Sequence, residues 1–266
     1  MASQFAGLAS PLSPAGIDRV LGLLGIIAPD IWAVLSVETH GCGFLADRRP
    51  LILFERHIFH RRTGGVFDAS HPGISAASPG GYLGGAREYD RLEEAVALDR
   101  PNALASASWG IGQVMGFNAA AAGFASAEAM VIAFMNSEDD QLAAMANFLR
   151  SIRLNTALAD HDWRTFARGY NGPDFAKNQY DTRLEAAFEA YLAGALPDLT
   201  VRRVQILLMF LGIDTGAIDG ILGKRTRSGI QVFRERANLP DSDDIDDDLV
   251  AALVMATGQG AGAIDR

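Results

Sequence analysis

The feature that most constrains this chain is a long stretch of helical periodicity between Arg87 and Leu192. Apolar residues recur there at three- and four-residue steps, the spacing that places them on one face of a helix. With 266 residues and 49% hydrophobic content, the chain can bury a substantial core. The pattern predicts a mainly α-helical domain. Its expected core positions are Leu92, Val96, Met130, Phe134, Leu142, Met145, Leu149, Phe166, Leu184 and Phe188.

Two helices are predicted before this stretch. Ser13-Pro14 has the form of a helix N-cap followed by proline at the first helical position. Pro29-Asp30 begins the second helix, which Gly41 and Gly43 end. Glu38 shares the apolar side of this second helix with Ile31, Val34 and Leu35.

A small β and loop region is predicted between the helices. The run from Leu51 to Phe54 is short and β-prone. From Thr63 to Gly85, glycine, proline, serine and aspartate dominate, which is typical of loops. We therefore expect a mainly α-helical fold with a small β and loop region, in which these loops could form a wall of a substrate cleft.

The segment from Gly194 to Thr200 breaks the helical pattern and predicts a domain boundary. Beyond it, two similar loops each precede a short apolar helix, which indicates a small three-helix unit. The predicted domains are residues 1–195 and 196–266.

Charge and cysteine content limit the possible partners. The formal net charge is −9 and no segment concentrates lysine and arginine, so we expect no nucleic-acid binding. The single cysteine, Cys42, cannot form an internal disulfide, so the chain could fold in a cytosol. We expect neither a membrane anchor nor a signal peptide, and we expect a monomer without a cofactor.

Glu38 is the candidate catalytic acid. Apolar neighbours raise the pKa of a carboxyl group, and the negative end of the helix macrodipole acts in the same direction. A protonated glutamate near neutral pH can serve as a proton donor. The alternative on these grounds alone is an ordinary glutamate at a fraying helix end.

Three motifs occur in the order used by the superfamily of goose-type lysozymes and lytic transglycosylases. Val37-Glu38-Thr39 resembles its Glu-Ser motif, the segment from Gly110 to Met115 resembles its Gly-Leu-Met-Gln motif, and the segment from Gly169 to Gly172 resembles its Tyr-Asn motif. More closely, residues 37–44, 51–57 and 106–110 resemble the N-acetylmuramidase domain of modular bacteriophage endolysins, over roughly Leu12 to Leu192. The chain departs from that pattern at Thr39, Cys42 and Gly112.

This resemblance implies an α+β lysozyme-like catalytic domain and roles for individual residues. Glu38 would protonate the oxygen that links N-acetylmuramic acid to N-acetylglucosamine. Gln113, Tyr170 and Asn171 would position the sugar and stabilise the charged transition state, and Ser108 and Trp109 would contact substrate. Hydrolysis is the expected outcome. The alternative is a lytic transglycosylase, which releases an anhydro sugar.

Glu55 is the first candidate for a second carboxylate, acting as general base or electrostatic partner. The alternative for Glu55 is an ion pair with Arg56 or another arginine. Other candidates are Asp47, Asp68 and Glu88, which lie in or near the loop region.

His57 and His60 and the lone Cys42 suggest other chemistries. The histidine spacing lacks the glutamate of a zinc-binding His-Glu-x-x-His motif, so we expect no metal, and a metallopeptidase is a weaker alternative. Cys42 lacks the surroundings of a cysteine-protease nucleophile. Tyr82 and Tyr89 could stack on sugar rings, but burial in the core is the commoner role for a tyrosine.

The tail resembles the three-helix peptidoglycan-binding domain found in many wall hydrolases. Its characteristic positions here are Asp219, Gly220, Gly223 and Thr226. A tethered wall binder would keep the cutting domain near its polymeric substrate. The combination implies an endolysin that waits in the host cytoplasm until a holin opens the membrane and then acts on the wall in the periplasm. The remaining alternative is a non-catalytic wall-binding or virion structural protein.

Overall fold

The computed structural model describes residues 4–38 and 41–259, with only the backbone of Glu38. Over this part of the chain it forms twelve α-helices and one three-stranded sheet, in agreement with the predicted mainly α fold. The helices are α1 (Pro14–Leu24), α2 (Ala28–Glu38), α3 (Arg56–Thr63), α4 (Glu88–Ala105), α5 (Ala127–Asn136), α6 (Glu138–Ser151), α7 (Leu154–Ala159), α8 (Trp163–Asn171), α9 (Tyr180–Ala193), α10 (Leu199–Phe210), α11 (Lys224–Ala237) and α12 (Asp247–Thr257). The strands are β1 (Ile52–Phe54), β2 (Ala107–Trp109) and β3 (Val114–Met115).

The first two helices begin where the sequence predicted. The Ser13 side chain accepts a hydrogen bond from the Gly16 backbone N–H and caps α1, with Pro14 at the first helical position. Helix α2 is buried on more than one face. Trp32 and Ala33 are buried together with Ile31, Val34 and Leu35. Helix α2 packs against α9 and forms the centre of the first domain.

All the predicted core positions lie in one cluster. Each is buried except Val96, which is partly buried against the same core. The hydrophobic periodicity was therefore sufficient to identify the inward face of α4, α5, α6, α8 and α9.

The sheet has the order β1-β2-β3 with antiparallel pairing. Ile52 pairs with Trp109, Leu53 with Ser108, and Ser108 with Met115. Paired residues point to the same side of a sheet, so Leu53, Ser108 and Met115 share the face turned away from the core. The buried face consists of Ile52, Phe54, Ala107, Trp109 and Val114.

Strands β2 and β3 correct the prediction of an uninterrupted helical stretch from Arg87 to Leu192. The backbone has positive φ at Gly110 (68°) and Gln113 (45°), which turns the chain between the two strands. These residues form a tight hairpin in place of a helix. The second predicted motif thus lies on a hairpin turn.

Helices α10, α11 and α12 form the expected three-helix unit. Its own core consists of Val204, Leu207, Leu208, Ile213, Ile230, Phe233, Leu249 and Leu253. A second, smaller cluster joins this unit to the first domain and contains Ala9, Cys42, Phe44, Ile206 and Ile218.

Within residues 4–38 and 41–259, no single helix is long and apolar enough to cross a membrane. Helix α1 and most of α2 reach the required length and composition only together, and they are bent by 104° at the break between them.

Candidate active site

Glu38 is the last residue of α2, directly after buried Val37. The Val37 carbonyl accepts a hydrogen bond of 3.4 Å from Arg183 of α9. The Glu38 side chain, Thr39 and His40 lie outside the described part of the structure. The Glu38 backbone therefore lies at the C-terminal end of a largely buried helix.

Ser108 and Gln113 are held together on the outward face of the sheet. The Ser108 hydroxyl donates to Gln113 Oε1 at 2.8 Å, and Gln113 Nε2 donates to the Gly110 carbonyl at 2.9 Å. Both ends of the Gln113 amide are thus engaged, which fixes its orientation. The side chain is half-buried, so part of it can still face a bound substrate.

Tyr170 connects the third motif to the second. Its hydroxyl donates to the Gly112 carbonyl, and its ring stacks on Phe166 with 5.5 Å between centroids. Asn171 follows it as the last residue of α8. The structure therefore brings the Gln113 turn and the Tyr170–Asn171 helix end together, although they are far apart in sequence.

Glu55 lies where β1 ends and α3 begins, and its side chain is 16% exposed. The Tyr82 hydroxyl donates to Glu55 Oε2 at 2.9 Å. His57 Nδ1 lies 3.1 Å from the same oxygen, without hydrogen-bond alignment. Partial burial, followed by the hydrogen bond and the charge of Glu55, raises the pKa of Tyr82 above its usual value, so Tyr82 remains a donor.

The expected alternative partner of Glu55, Arg56, is engaged elsewhere. The Arg56 guanidinium donates to the backbone oxygens of Ser78 and Pro79, and to the Ser78 hydroxyl. Arg56 therefore anchors the loop after α3. The neighbours of the Glu55 carboxylate are Tyr82 and His57 instead. This arrangement keeps a carboxylate accessible at the edge of the sheet.

Glu88 is unsuited to proton transfer. It is fully buried and accepts hydrogen bonds from the backbone N–H groups of Phe54, Leu83 and Gly84 and from Arg91. Burial raises its pKa, but these hydrogen bonds and the Arg91 charge outweigh it and leave the pKa below the usual value. Glu88 therefore joins β1, the loop and α4 as a structural carboxylate.

Asp68 and Asp47 also have structural partners. Asp68 accepts from the Ser75 hydroxyl at 2.5 Å and lies 2.7 Å from His60 Nδ1. These two hydrogen bonds, that of Ser75 first, lower the pKa of Asp68. Asp47 pairs with Arg49 at 2.7 Å on the surface. Neither residue lies on a strand of the sheet that carries Ser108.

The structure contradicts the expected substrate contact of Trp109. Its side chain is fully buried, contacts Phe5 and Tyr89, and donates from Nε1 to the Leu104 carbonyl at 3.0 Å. Trp109 is next to Ser108 on β2, so its ring points to the opposite, core side. Tyr89 is equally buried, whereas Tyr82 is 46% exposed beside Glu55.

Two residues that sequence reasoning did not identify hold the loops of the site in place. Glu138 and Gln141 lie one turn apart at the start of α6, and both are fully buried. Glu138 Oε1 accepts from the Gly43 N–H at 2.8 Å, and Gln141 Oε1 accepts from the Ile111 N–H at 2.7 Å. The sequence Ser137-Glu-Asp-Asp indicates only a capped helix start, so the burial of Glu138 could not be recognised.

The residues considered for metal and thiol chemistry have other surroundings. His57 faces Glu55 and His60 faces Asp68, and the described residues contain no group of three His, Cys, Asp or Glu arranged to hold a metal. Burial, and then the nearby Glu138 charge, raises the pKa of Cys42 to about 12. The Cys42 thiol therefore remains protonated within the small apolar cluster.

In the three-helix unit, the predicted residues surround the buried side chain of Gln205. Its Nε2 donates to Asp219 Oδ1 at 2.9 Å and to the Thr226 hydroxyl at 3.1 Å, and its Oε1 accepts from the Gly220 N–H at 2.9 Å. Thr226 is 2% exposed, and its hydroxyl also donates to the Thr215 carbonyl, so its role in this loop is structural. Gly223 caps the start of α11.

Comparison with known proteins identifies the family of the segment that precedes the three-helix unit. The family model for N-acetylmuramidase matches residues 28–192. The crystal structure of the Burkholderia AP3 phage endolysin matches with 38% sequence identity and a TM-score of 0.64, covering 68% of this chain and 71% of that chain. No curated protein matches.

Proposed function

Because the chain belongs to the N-acetylmuramidase family, we propose that it hydrolyses the β-1,4 bond between N-acetylmuramic acid and N-acetylglucosamine in peptidoglycan, with Glu38 as general acid. The observation that carries this proposal is the hydrogen-bonded assembly of Ser108, Gln113, Gly112 and Tyr170. It unites two motifs that the resemblance associates with sugar binding.

The backbone position of Glu38 supports the proposal of a protonated carboxyl group. It ends a helix that is buried along most of its length, and the helix C-terminus disfavours negative charge nearby. The neutral acid would donate its proton to the glycosidic oxygen as the bond to the sugar breaks. Gln113, Tyr170 and Asn171 would hold the sugar ring during this step.

Glu55 is the proposed second carboxylate, as base or electrostatic partner. It is the candidate that combines partial exposure with a position at the outward edge of the sheet. Tyr82 donates a hydrogen bond to Glu55, and neither Tyr82 nor His57 brings a negative charge beside the carboxylate. As general base, Glu55 would activate the attacking water.

The biological role that follows is that of an endolysin. The matched Burkholderia phage protein is described by that name. We propose that this chain reaches the wall after a holin opens the host membrane, acts there as a monomer on peptidoglycan glycan strands, and causes host lysis. The three-helix unit would bind the wall, a role supported by its sequence pattern and its separate core.

The experiment that tests the catalytic proposal compares Glu38→Gln with wild type. The amide cannot donate the proton, so we expect muramidase activity on purified peptidoglycan to fall by at least about 100-fold. Thermal unfolding should remain close to that of wild type. Glu189→Gln, an exposed position on α9, is the matched control and should keep full activity. Near-normal lysis by folded Glu38→Gln would refute the assignment.

A further inference from the structure

The segment 41–44, which follows Glu38 after two residues, lies between the two domains. A Cβ atom added at Gly41, where φ is 89°, would lie 2.1 Å from the Ile218 carbonyl oxygen of the three-helix unit. A Cβ atom added at Gly43 would lie 1.9 Å from Gln141 Oε1 of α6. Both domains therefore approach this segment more closely than a side chain would allow.

Arg202 of α10 forms hydrogen bonds with the same segment. It is 1% exposed, and its Nε and Nη2 both donate to the Gly41 carbonyl. Nη1 and Nη2 also donate to the two oxygens of Glu138, at 2.6 and 2.8 Å. The planar guanidinium thus holds a backbone carbonyl and a carboxylate at once, which a lysine ammonium cannot reproduce.

Glu138 completes the arrangement from the side of the first domain. It is fully buried and accepts from the N–H groups of Gly43, at 2.8 Å, and Leu12, at 2.9 Å. A buried carboxylate needs a countercharge, and the one it has here belongs to the other domain. The first domain therefore contains a charge that the three-helix unit neutralises.

We propose that Arg202 is a positioning residue for Glu38. The three-helix unit fixes the Gly41 carbonyl through Arg202, and Glu138 fixes Gly43, so residues 41–44 are held from both sides. This proposal rests on the proposed role of Glu38 as the acid. It makes the three-helix unit part of the catalytic machinery as well as a wall binder.

The test is Arg202→Lys in the full chain, assayed on soluble uncross-linked glycan strands. Lysine keeps the positive charge beside Glu138, so the unfolding temperature should stay close to that of wild type. It loses the paired hydrogen bonds that the guanidinium donates to the Gly41 carbonyl. We expect kcat to fall roughly tenfold to a hundredfold, as for a small misplacement of a catalytic group, with KM unchanged. Arg203→Lys, the exposed neighbour on α10, is the matched control and should retain the wild-type kcat.

A second variant, Glu138→Gln with Arg202→Met, removes both charges and leaves neither buried alone. It should fold and show the same selective loss of kcat. A wild-type kcat in Arg202→Lys would overturn the proposal, because charge balance alone would then account for Arg202. If neither variant folds, the contact between Arg202 and Glu138 serves only the stability of the fold, and the proposal is also overturned.

The Glu38→Gln variant in the same assay separates the two claims. If Glu38→Gln remains active, the proposed function fails, whatever Arg202→Lys shows. If Glu38→Gln is inactive and Arg202→Lys has the wild-type kcat, the proposed function stands and the positioning role of Arg202 fails.

Discussion

Glu55 and Glu88 show how strongly surroundings decide what a carboxylate can do. Glu88 has no exposed surface, and its oxygens are occupied by three backbone N–H groups and Arg91. Glu55 keeps some exposure and has Tyr82 and His57 beside it. Of these two carboxylates, Glu55 therefore keeps side-chain surface open to solvent and Glu88 keeps none.

This contrast gives a paired prediction. If Glu55 is the proposed second carboxylate, Glu55→Gln should lower kcat by about 100-fold or more, with little change in stability. Glu88→Gln should leave Arg91 without its buried partner and lower the free energy of unfolding by roughly 3–5 kcal/mol, while each folded molecule keeps near-normal activity. Thermal unfolding and initial rates on both variants check it. Normal activity with lost stability in Glu55→Gln, or lost activity with normal stability in Glu88→Gln, would contradict the prediction.

The stability difference between wild type and Glu88→Gln should depend on pH. The folded state lowers the pKa of Glu88, so its stabilisation is fully present above the ordinary glutamate pKa of ~4.3 and is lost as pH falls through the lowered folded value. Unfolding in denaturant at neutral pH and in acid measures this difference. A stability difference between the two proteins that becomes larger in acid would contradict the lowered pKa of Glu88.

At the scale of elements, the loop between α3 and α4 is fixed by side chains. Asp68 connects it to His60 of α3 and to Ser75, Arg56 holds Ser78 and Pro79, and Arg91 of α4 donates to the carbonyls of Gly73 and Gly80. The same loop brings Tyr82 to Glu55. The glycine- and serine-rich composition predicted a loop but gave no indication that side-chain hydrogen bonds fix its conformation.

We expect Asp68→Ala to loosen this loop. It removes the hydrogen bond from Ser75 and the contact with His60, which join this part of the loop to α3. Limited proteolysis within residues 64–81 should become faster by roughly tenfold, because cleavage follows the open population. Asp90→Ala, at an exposed position of α4, is the control and should leave the rate unchanged. Equal cleavage rates in Asp68→Ala and wild type would show that Asp68 does not fix the loop.

The sequence predicted elements well where a helix has one buried face. It predicted the N-cap at Ser13, the position of the short strand at Ile52–Phe54, and the core positions of the later helices. It failed at β2 and β3, because two-to-three-residue strands carry little periodicity. It also failed for Trp109, since the side of the sheet on which a residue lies depends on register.

Buried polar contacts were beyond sequence reasoning for a different reason. Glu138, Gln141, Arg202 and Gln205 are charged or amide residues on helices, where exposure is the usual expectation. Their burial depends on partners that are distant in sequence, such as Gly43 for Glu138. The motif order nevertheless led to Ser108, Gln113 and Tyr170, which the structure brings together.

At the scale of the whole molecule, the three-helix unit has a proposed task on the wall in addition to its contact with segment 41–44. Among the residues of its predicted binding loop, Asp219 and Gly220 are engaged with Gln205. Ile221 in the same loop is 63% exposed and apolar. An exposed apolar side chain of this kind is available to contact a polymer surface.

Ile221→Asp should therefore weaken wall binding. In the Glu38→Gln background, which leaves the wall uncut, we expect a several-fold loss of co-sedimentation with peptidoglycan, because a charge replaces the apolar contact. Met255→Asp, an 82% exposed position on α12 of the same unit, is the matched control. Unchanged co-sedimentation of the Ile221 variant would remove this loop from the binding surface.

The most direct test of the central claim is mass spectrometry of muropeptides released from purified peptidoglycan by wild type and by Glu38→Gln. Hydrolysis by a muramidase leaves reducing N-acetylmuramic acid ends. We predict those ends for wild type and almost none for Glu38→Gln. Anhydro ends, lighter by one water, would identify a lytic transglycosylase, and reducing ends released equally by both proteins would show that Glu38 is not the acid.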